Sequence, residues 1–295
     1  MHTFLKSETY RFSRALQATP RARTCRLSQR LRLRRLMTVL LVSPALLSAP
    51  ALMAQALPAD TLKAHVYNWD SLDPQKDSSR DRRQFLDGST HDLANLEIHA
   101  STIEPGKAAH PPHTHTDMEE LVIVKEGTLK GTIKDKTKLL GPGSIGYALP
   151  GDEHGFTNVG SAKATYYVLK FKARAPMDPD RGLKAGGSFL IDWNTLAVQK
   201  TEKGERRQVF DRATTLFGKF EVHVTALNPG EVSHAPHVHR QEEIILLRKG
   251  NVTMQIGDNF YKASTGDLIF LSSGIPHALK NTGNTPCEYY ALQWQ

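Results

Sequence analysis

The sequence predicts an all-β protein built as two tandem barrels or sandwiches behind an N-terminal signal segment. Three observations carry this. Short apolar runs end repeatedly in glycine turns and no long stretch holds a helical period. One stretch of sequence is written twice. Each copy contains the same histidine–carboxylate cluster, His113, His115, Glu120 and His154 in the first and His237, His239, Glu243 and His277 in the second.

The chain has 295 residues and a formal net charge of +8. The charge is unevenly placed. Lys6, Arg11, Arg14, Arg21, Arg23, Arg26, Arg30, Arg32, Arg34 and Arg35 lie within residues 1–56 against one acid, Glu8, so the remainder is close to neutral. No basic stripe in that remainder suggests nucleic acid as a partner. The basic cluster Arg30–Arg35 precedes the apolar run Leu36–Leu52 and then Ala54-Gln55-Ala56. Positive region, apolar region and a small-residue A-x-A site form the pattern of a secretory signal. The apolar run is short for a membrane span and is broken by Pro44 and Pro50. Residues 1–56 are therefore expected to direct export, periplasmic or secreted, and the mature chain to hold no stable membrane span. Cys25 would leave with that segment and Cys287 would remain alone, so the fold must rest on its core rather than on a disulfide.

The duplication is read directly from matched residues. Trp69 corresponds to Trp193, Arg82-Arg83-Gln84 to Arg206-Arg207-Gln208, and Glu97-Ile98-His99 to Glu221-Val222-His223, all at one offset. His110 to His115 corresponds to His234 to His239. After a one-residue deletion Glu120, Gly127, Gly143, His154, Asn158, Gly160 and Tyr166-Tyr167 meet Glu243, Gly250, Gly266, His277, Asn281, Gly283 and Tyr289-Tyr290. A repeat this long is a duplicated domain, not a solenoid unit. The expected domains are 61–174 and 187–295, joined by a Pro/Gly/Asp-rich linker over 175–186. Strand candidates are Leu121–Val124, Ile244–Leu247, Ile269–Leu271 and Tyr166–Phe171, bounded by turn residues as in a sandwich or barrel.

The clusters point to metal chemistry. His113 and His115 are one residue apart, as are His237 and His239. On strands each pair would share a face. Glu120 and Glu243 follow, and His154 and His277 return from a later strand. Polar groups gathered inside a barrel are costly unless a cation compensates them. Glu119 and Glu242 compete for the carboxylate role, but spacing to Gly127 and Gly250 favours Glu120 and Glu243. Three imidazoles and one carboxylate suit a divalent first-row metal, one per domain, with Mn or Fe favoured and Zn, Ni and Cu also compatible. Glu97, His99, Glu221 and His223 either support the ligands and move protons or lie on an exposed sheet face, and the second reading is slightly preferred. His110 and His234 are read as rim residues, and Asn158 and Asn281 as turn fixers.

These motifs resemble the cupin superfamily. Its first motif runs glycine, HxH, glutamate, glycine, as in Gly106…His113-Thr114-His115…Glu120…Gly127 and Gly230…His237-Val238-His239…Glu243…Gly250. Its second is similar to Gly143…Pro150-Gly151…His154…Asn158 and Gly266…Gly274…His277…Asn281. The second copy departs by carrying Ser272 where the family often has proline. The resemblance covers nearly all of 61–295 and implies a bicupin: two tandem cupin-type jelly-roll (double-stranded β-helix) barrels, each with a central metal.

The superfamily does not choose an activity, because fold and function are separable. Open metal positions beyond the four ligands suit catalysis. The expected function is an oxidoreductase of the dioxygenase type acting on a small oxygen-rich substrate. An allantoin-pathway aminohydrolase fits less well, because the resemblance gives that enzyme a different ligand set in its active domain. The alternative is an exported binding protein for a small carboxylate or sugar, since no dedicated acid or base stands out beyond the ligands. Both clusters being complete argues against one domain serving only as scaffold. The chain is expected either as a homodimer through exposed strands or as a monomer with a built-in pseudo-dimer.

Overall fold

In the computed structural model residues 61–295 are described. The signal segment predicted over 1–56 lies outside them. Two seven-stranded and two three-stranded antiparallel sheets make up the fold. The only α-helix among the described residues is Pro179–Lys184, capped by Asp178 accepting from the Arg181 amide, and it falls in the stretch read as linker. No described helix is long and apolar enough to cross a membrane.

The first barrel joins one seven-stranded sheet to the three-stranded sheet Lys136–Leu140, Leu129–Ile133 and His154–Asn158. The centre of its larger sheet is Glu119–Glu126, Ala164–Ala173 and Leu93–Ile103, paired in that order. The second barrel repeats this with Glu242–Lys249, Cys287–Trp294 and Phe220–Leu227 in the corresponding places. This is the all-β tandem jelly roll expected from the sequence. The predicted apolar runs sit inside longer strands because flanking glutamates, lysines and alanines continue the ladder.

Each large sheet is buried on both faces, which explains why its strands read as continuous apolar runs rather than alternating ones. Val122, Val124 and Val168 point into the first barrel with Ile103, Leu129 and Phe156. Leu121, Ile123, Ile98 and Phe171 point the other way, into a core shared with Val222, Ile244, Phe220 and Trp294 of the second barrel. The two large sheets thus pack face to face. Phe171, Phe217, Phe220 and Trp294 meet there edge to face or tilted, with centroids 5.3–6.4 Å apart, an arrangement aromatic quadrupoles favour.

The copies also exchange their first strands. His65–Tyr67 pairs with Leu268–Leu271 of the second barrel, and Phe189–Ile191 pairs with Ile145–Ala148 of the first. The matched tryptophans follow these strands across. Trp193 lies against Gly143, where a Cβ would come 2.6 Å from the indole and where φ is +91°, so only glycine fits. The Trp193 amide donates to Ser144 Oγ at 3.0 Å, and the Trp69 amide to Asp267 Oδ1 at 2.7 Å.

Glu119 and Glu242 complete the exchange. They are fully buried, and alternation along the strand turns them away from the barrel interiors that Glu120 and Glu243 face. Glu119 accepts from Tyr147 OH, from Thr214 Oγ1 at 2.9 Å and from the Leu216 amide at 3.1 Å. Glu242 accepts from Thr90 Oγ1 and from the His91 and Asp92 amides at 2.9 and 3.3 Å. Each copy's glutamate therefore clasps a turn of the other. Burial raises the pKa of both carboxyls while these donors oppose the rise.

Candidate metal centres

The HxH pairs do not lie on regular strands, as the sequence reading supposed. His113 and His237 are held by single bridges to His154 and His277. The His113 and His154 backbones exchange both hydrogen bonds, at 3.0 and 2.9 Å. The Pro111-Pro112 pair ahead of His113 limits regular pairing, since proline brings no amide donor. Glu120 enters from Glu119–Glu126, and His154 opens His154–Asn158. Asn158 and Asn281 do fix turns. Asn158 donates to Ile103 and Ala162 carbonyls and accepts from the Gly160 amide, and Asn281 repeats all three contacts.

In the first barrel the donor atoms of His113, His115, Glu120 and His154 all lie within 4.8 Å of one another. His115 Nε2 stands 3.2 Å from His113 Nε2 and 3.0 Å from Glu120 Oε2, and His154 Nε2 is 3.4 Å from Glu120 Oε1. In the second barrel the residues form two overlapping trios, His239/Glu243/His277 and His234/His237/His277. His239 and His277 Nε2 lie 3.3 and 3.4 Å from Glu243 Oε2. His237 packs against His234, centroids 4.0 Å apart, as His113 does against His110 at 4.2 Å. His234, read as a rim residue, thus stands within reach of the second cluster.

The donor chemistry fits a cation. His154 Nδ1 donates to the Asp152 carbonyl and His277 Nδ1 to the Ile275 carbonyl, both at 2.9 Å. A carbonyl can only accept, so in the neutral ring each Nε2 is a bare lone pair facing the cluster. Those two Nε2 atoms are buried and have no hydrogen-bond partner. A backbone acceptor fixing the far nitrogen is the usual support of a metal-binding imidazole. Burial works against charge on Glu120, yet the hydrogen bond with His115 and the close approach of His154 hold its carboxyl well below the ordinary range. Glu243 is held at about 2 in the same way by His239 and His277, again against burial. Burial, then neighbouring His110 and His154, lowers His113 to about 4, leaving a neutral imidazole able to ligate.

Glu97 and His99 are not on an exposed face. Ile98 points into the core between the barrels, so its neighbours point into the first barrel, where His99 is 3% exposed. Both line one cavity of about 420 Å³ with His113, His115 and Glu120. His99 Nδ1 stands 3.0 Å from Glu97 Oε1. The close approach of His99 leads the effects that set Glu97 at about 2 against burial, with Lys170 and Arg82 contributing charge. Burial lowers the His99 pKa. The second barrel's cavity, about 280 Å³, takes in His223 but not Glu221 among its lining residues. The sequence reading missed Arg80, Arg82 and Lys170 at the first cavity. Arg82 stood in the repeat beside Arg206, but as evidence of duplication only.

Residues 100–170 and 223–292 each match the Cupin domain family. The chain is 26% identical over 188 residues, 63% of its length, to an (S)-ureidoglycine aminohydrolase of Arabidopsis thaliana, and spans 59% of that protein. It is 29% identical over 76 residues, 26% of its length, to a probable (S)-ureidoglycine aminohydrolase of Oryza sativa subsp. japonica, spanning 25% of it. Among solved structures it is similar to the oxalate decarboxylase of Lactobacillus farciminis, with TM-score 0.63, 12% identity and coverage of 80% of this chain and 87% of that one. It is also similar to protein Ylba from E. coli, with TM-score 0.63, 16% identity and coverage of 83% and 96%. At these identities the structural likeness speaks for fold. With two domain matches, two matched motif sets and a tandem jelly roll, the chain belongs to the cupin superfamily as a two-domain, bicupin member.

Proposed function

We propose that this bicupin is a metal-dependent enzyme that hydrolyses a carbon–nitrogen bond in a small, oxygen-rich amino or ureido compound, with the first barrel as its active centre. One observation carries the reading: His113, His115 and Glu120 of the converged set that His154 completes line a single cavity together with the His99–Glu97 pair. Hydrolysis needs a site that polarises substrate or water and a group that moves protons. Glu97 and His99, for which the sequence reading held a proton-moving role and an exposed sheet face both open, supply the acid–base pair. The aminohydrolase relatives support the same class, which the sequence reading had ranked below a dioxygenase.

His113, His115, Glu120 and His154 would hold the ion, Mn or Fe being favoured. When bound, it supplies Lewis acidity and lowers the pKa of water at its open positions. The residues around it have separate tasks. His99, buried and neutral, accepts a proton from the attacking water. Glu97 stays ionised and steadies the imidazolium that results. His99 then returns the proton to the departing amine, so water and substrate give a hydroxylated product and ammonia.

A dioxygenase reading keeps the same open positions and is separated by one paired assay. The Mn(II)- or Fe(II)-loaded chain is offered (S)-ureidoglycine and related compounds with ammonia release followed, and catechols, flavonols and oxalate with oxygen uptake followed. Ammonia release that falls at least about 100-fold in His99→Ala, with metal retained, is the expected result. Oxygen uptake without ammonia would transfer the assignment to the dioxygenase, and tight binding with neither would favour the binding protein. Export belongs to the same proposal. It predicts that N-terminal sequencing of protein recovered outside the cytoplasm begins downstream of Ala56, and an intact Met1 on cytoplasmic protein would sink it.

A further inference from the structure

The two centres are built from matched residues, yet their cavities are charged differently. In the first barrel the ligand Glu120 pairs across the sheet with Lys170, and Lys170 pairs with Glu97. In the second the same row reads Glu243, Gln293, Glu221. Arg80 likewise corresponds to Gly204. Arg80, Arg82 and Lys170 all line the first cavity, against the carboxylates Glu97 and Glu120. The second cavity has Arg206 as its cation and Glu243 as its carboxylate.

Charge balance for the row glutamate does not explain the difference. Glu97 is met by Arg82 at 2.5 Å and by Lys170 at 3.5 Å. Glu221 is met equally by two cations, Arg206 at 2.8 Å and Lys219 at 3.7 Å. Lys219 is absent from the lining of the second metal cavity and approaches Glu221 from the strand start Phe220, where the first copy carries Asn95 instead of a lysine. Both copies thus give the glutamate two cations. Only the first puts the second cation inside the cavity.

We propose that the first centre is the anion-selective one, and that Lys170, assisted by Arg80, sets its preference for a small ligand carrying a carboxylate, while the second centre lacks that preference. The inference rests on the reading that these clusters hold a divalent metal, and it names the substrate class of the first. A cation beside the metal position attracts a carboxylate strongly where walls of low dielectric focus the field. Lys170 does so as a single ammonium, 24% exposed. A neutral amide at Gln293 offers hydrogen bonds without that charge.

The test is binding, not turnover. Oxalate and its neutral analogue oxamide are titrated into full-length Mn(II)-loaded chains in which one centre is disabled, His113→Ala with His115→Ala or His237→Ala with His239→Ala. Calorimetry and the Mn(II) EPR spectrum are read together. The chain with the first centre intact is expected to bind oxalate at least about tenfold more tightly than the other, a 1.4 kcal/mol difference. Lys170→Gln should remove about that factor for oxalate but not for oxamide, and Lys170→Arg should preserve it. Gln293→Lys should raise oxalate binding at the second centre. Equal oxalate affinity at the two centres, an unchanged affinity in Lys170→Gln with its EPR signal retained, or failure of the first centre to hold Mn(II) would each overturn the proposal. Asymmetric oxalate binding without ammonia release from any compound would leave it standing and count against the hydrolytic reading alone.

Discussion

At the residue scale the two centres share a donor list but not a geometry. His113, His115, Glu120 and His154 present four donor atoms to one point, whereas the second barrel divides its donors into the overlapping trios His239/Glu243/His277 and His234/His237/His277. An ion held by four preorganised donors dissociates more slowly than one held by three, because less reorganisation accompanies binding. Elemental analysis is expected to find two divalent ions per chain. Stepwise chelation should empty the second centre first, at least about tenfold ahead of the other. His113→Ala combined with His237→Ala should leave occupancy near zero, and retention of both ions would refute the ligand assignment. The HxH spacing drew attention to these histidines. It did not reveal that prolines keep the pairs off strands, because strand alternation was the simplest way to give them one face.

At the element scale adjacent residues of one strand do opposite jobs. In Glu119–Glu126 and Glu242–Lys249 the second glutamate faces a metal cluster and the first clasps the other barrel. The clasp is buried on every side, so losing a donor leaves part of a carboxylate unsatisfied, at a cost of about 1–3 kcal/mol. Thr90→Val and Thr214→Val should each lower the unfolding free energy by that amount, read as a lower urea midpoint with no change in slope. Their effects should add, since they lie at opposite ends of the contact. A change below a few tenths of a kcal/mol would remove the clasp from the account of stability. Periodicity identified the strands Leu121–Val124 and Ile244–Leu247 correctly, since few alternatives suit a run of β-branched and leucine side chains. It left Glu97 and His99 open between a place beside the ligands and an exposed sheet face, with the second slightly preferred. A strand buried on both faces gives no polar face to solvent, and alternation alone cannot distinguish a cavity from a solvated surface.

At the scale of the whole molecule the two barrels complete each other. Phe189–Ile191 supplies an edge strand to the first sheet and His65–Tyr67 to the second. The aromatic core between the sheets belongs to both. A fragment spanning 61–174 would expose that core, lose its edge strand and leave Glu119 without Thr214 and Leu216. It is expected to aggregate or to lack near-ultraviolet circular dichroism, while the full chain unfolds in one calorimetric transition. Two resolved transitions, or a soluble native-like fragment, would contradict this. The exchange also builds a dimer-like contact within one chain, as the pseudo-dimer reading of the repeat anticipated. Sedimentation velocity at several concentrations decides whether a further, intermolecular dimer forms.

Fold class, duplication and the two histidine–carboxylate sets are written into the order of residues along the chain. Those are carried by local features that a one-dimensional text preserves: residue identity, turn glycines, and spacing repeated at one offset. It takes the closed sheets to place Glu119 and Glu242 at the interface, His99 and Glu97 in the first cavity, and Lys170 there without a cationic counterpart in the second. Each of these depends on which strand lies next to which. Lys170 acquires its meaning from pairing with Glu120 and Glu97, residues far away along the chain, and that neighbourhood exists only once the sheet has closed.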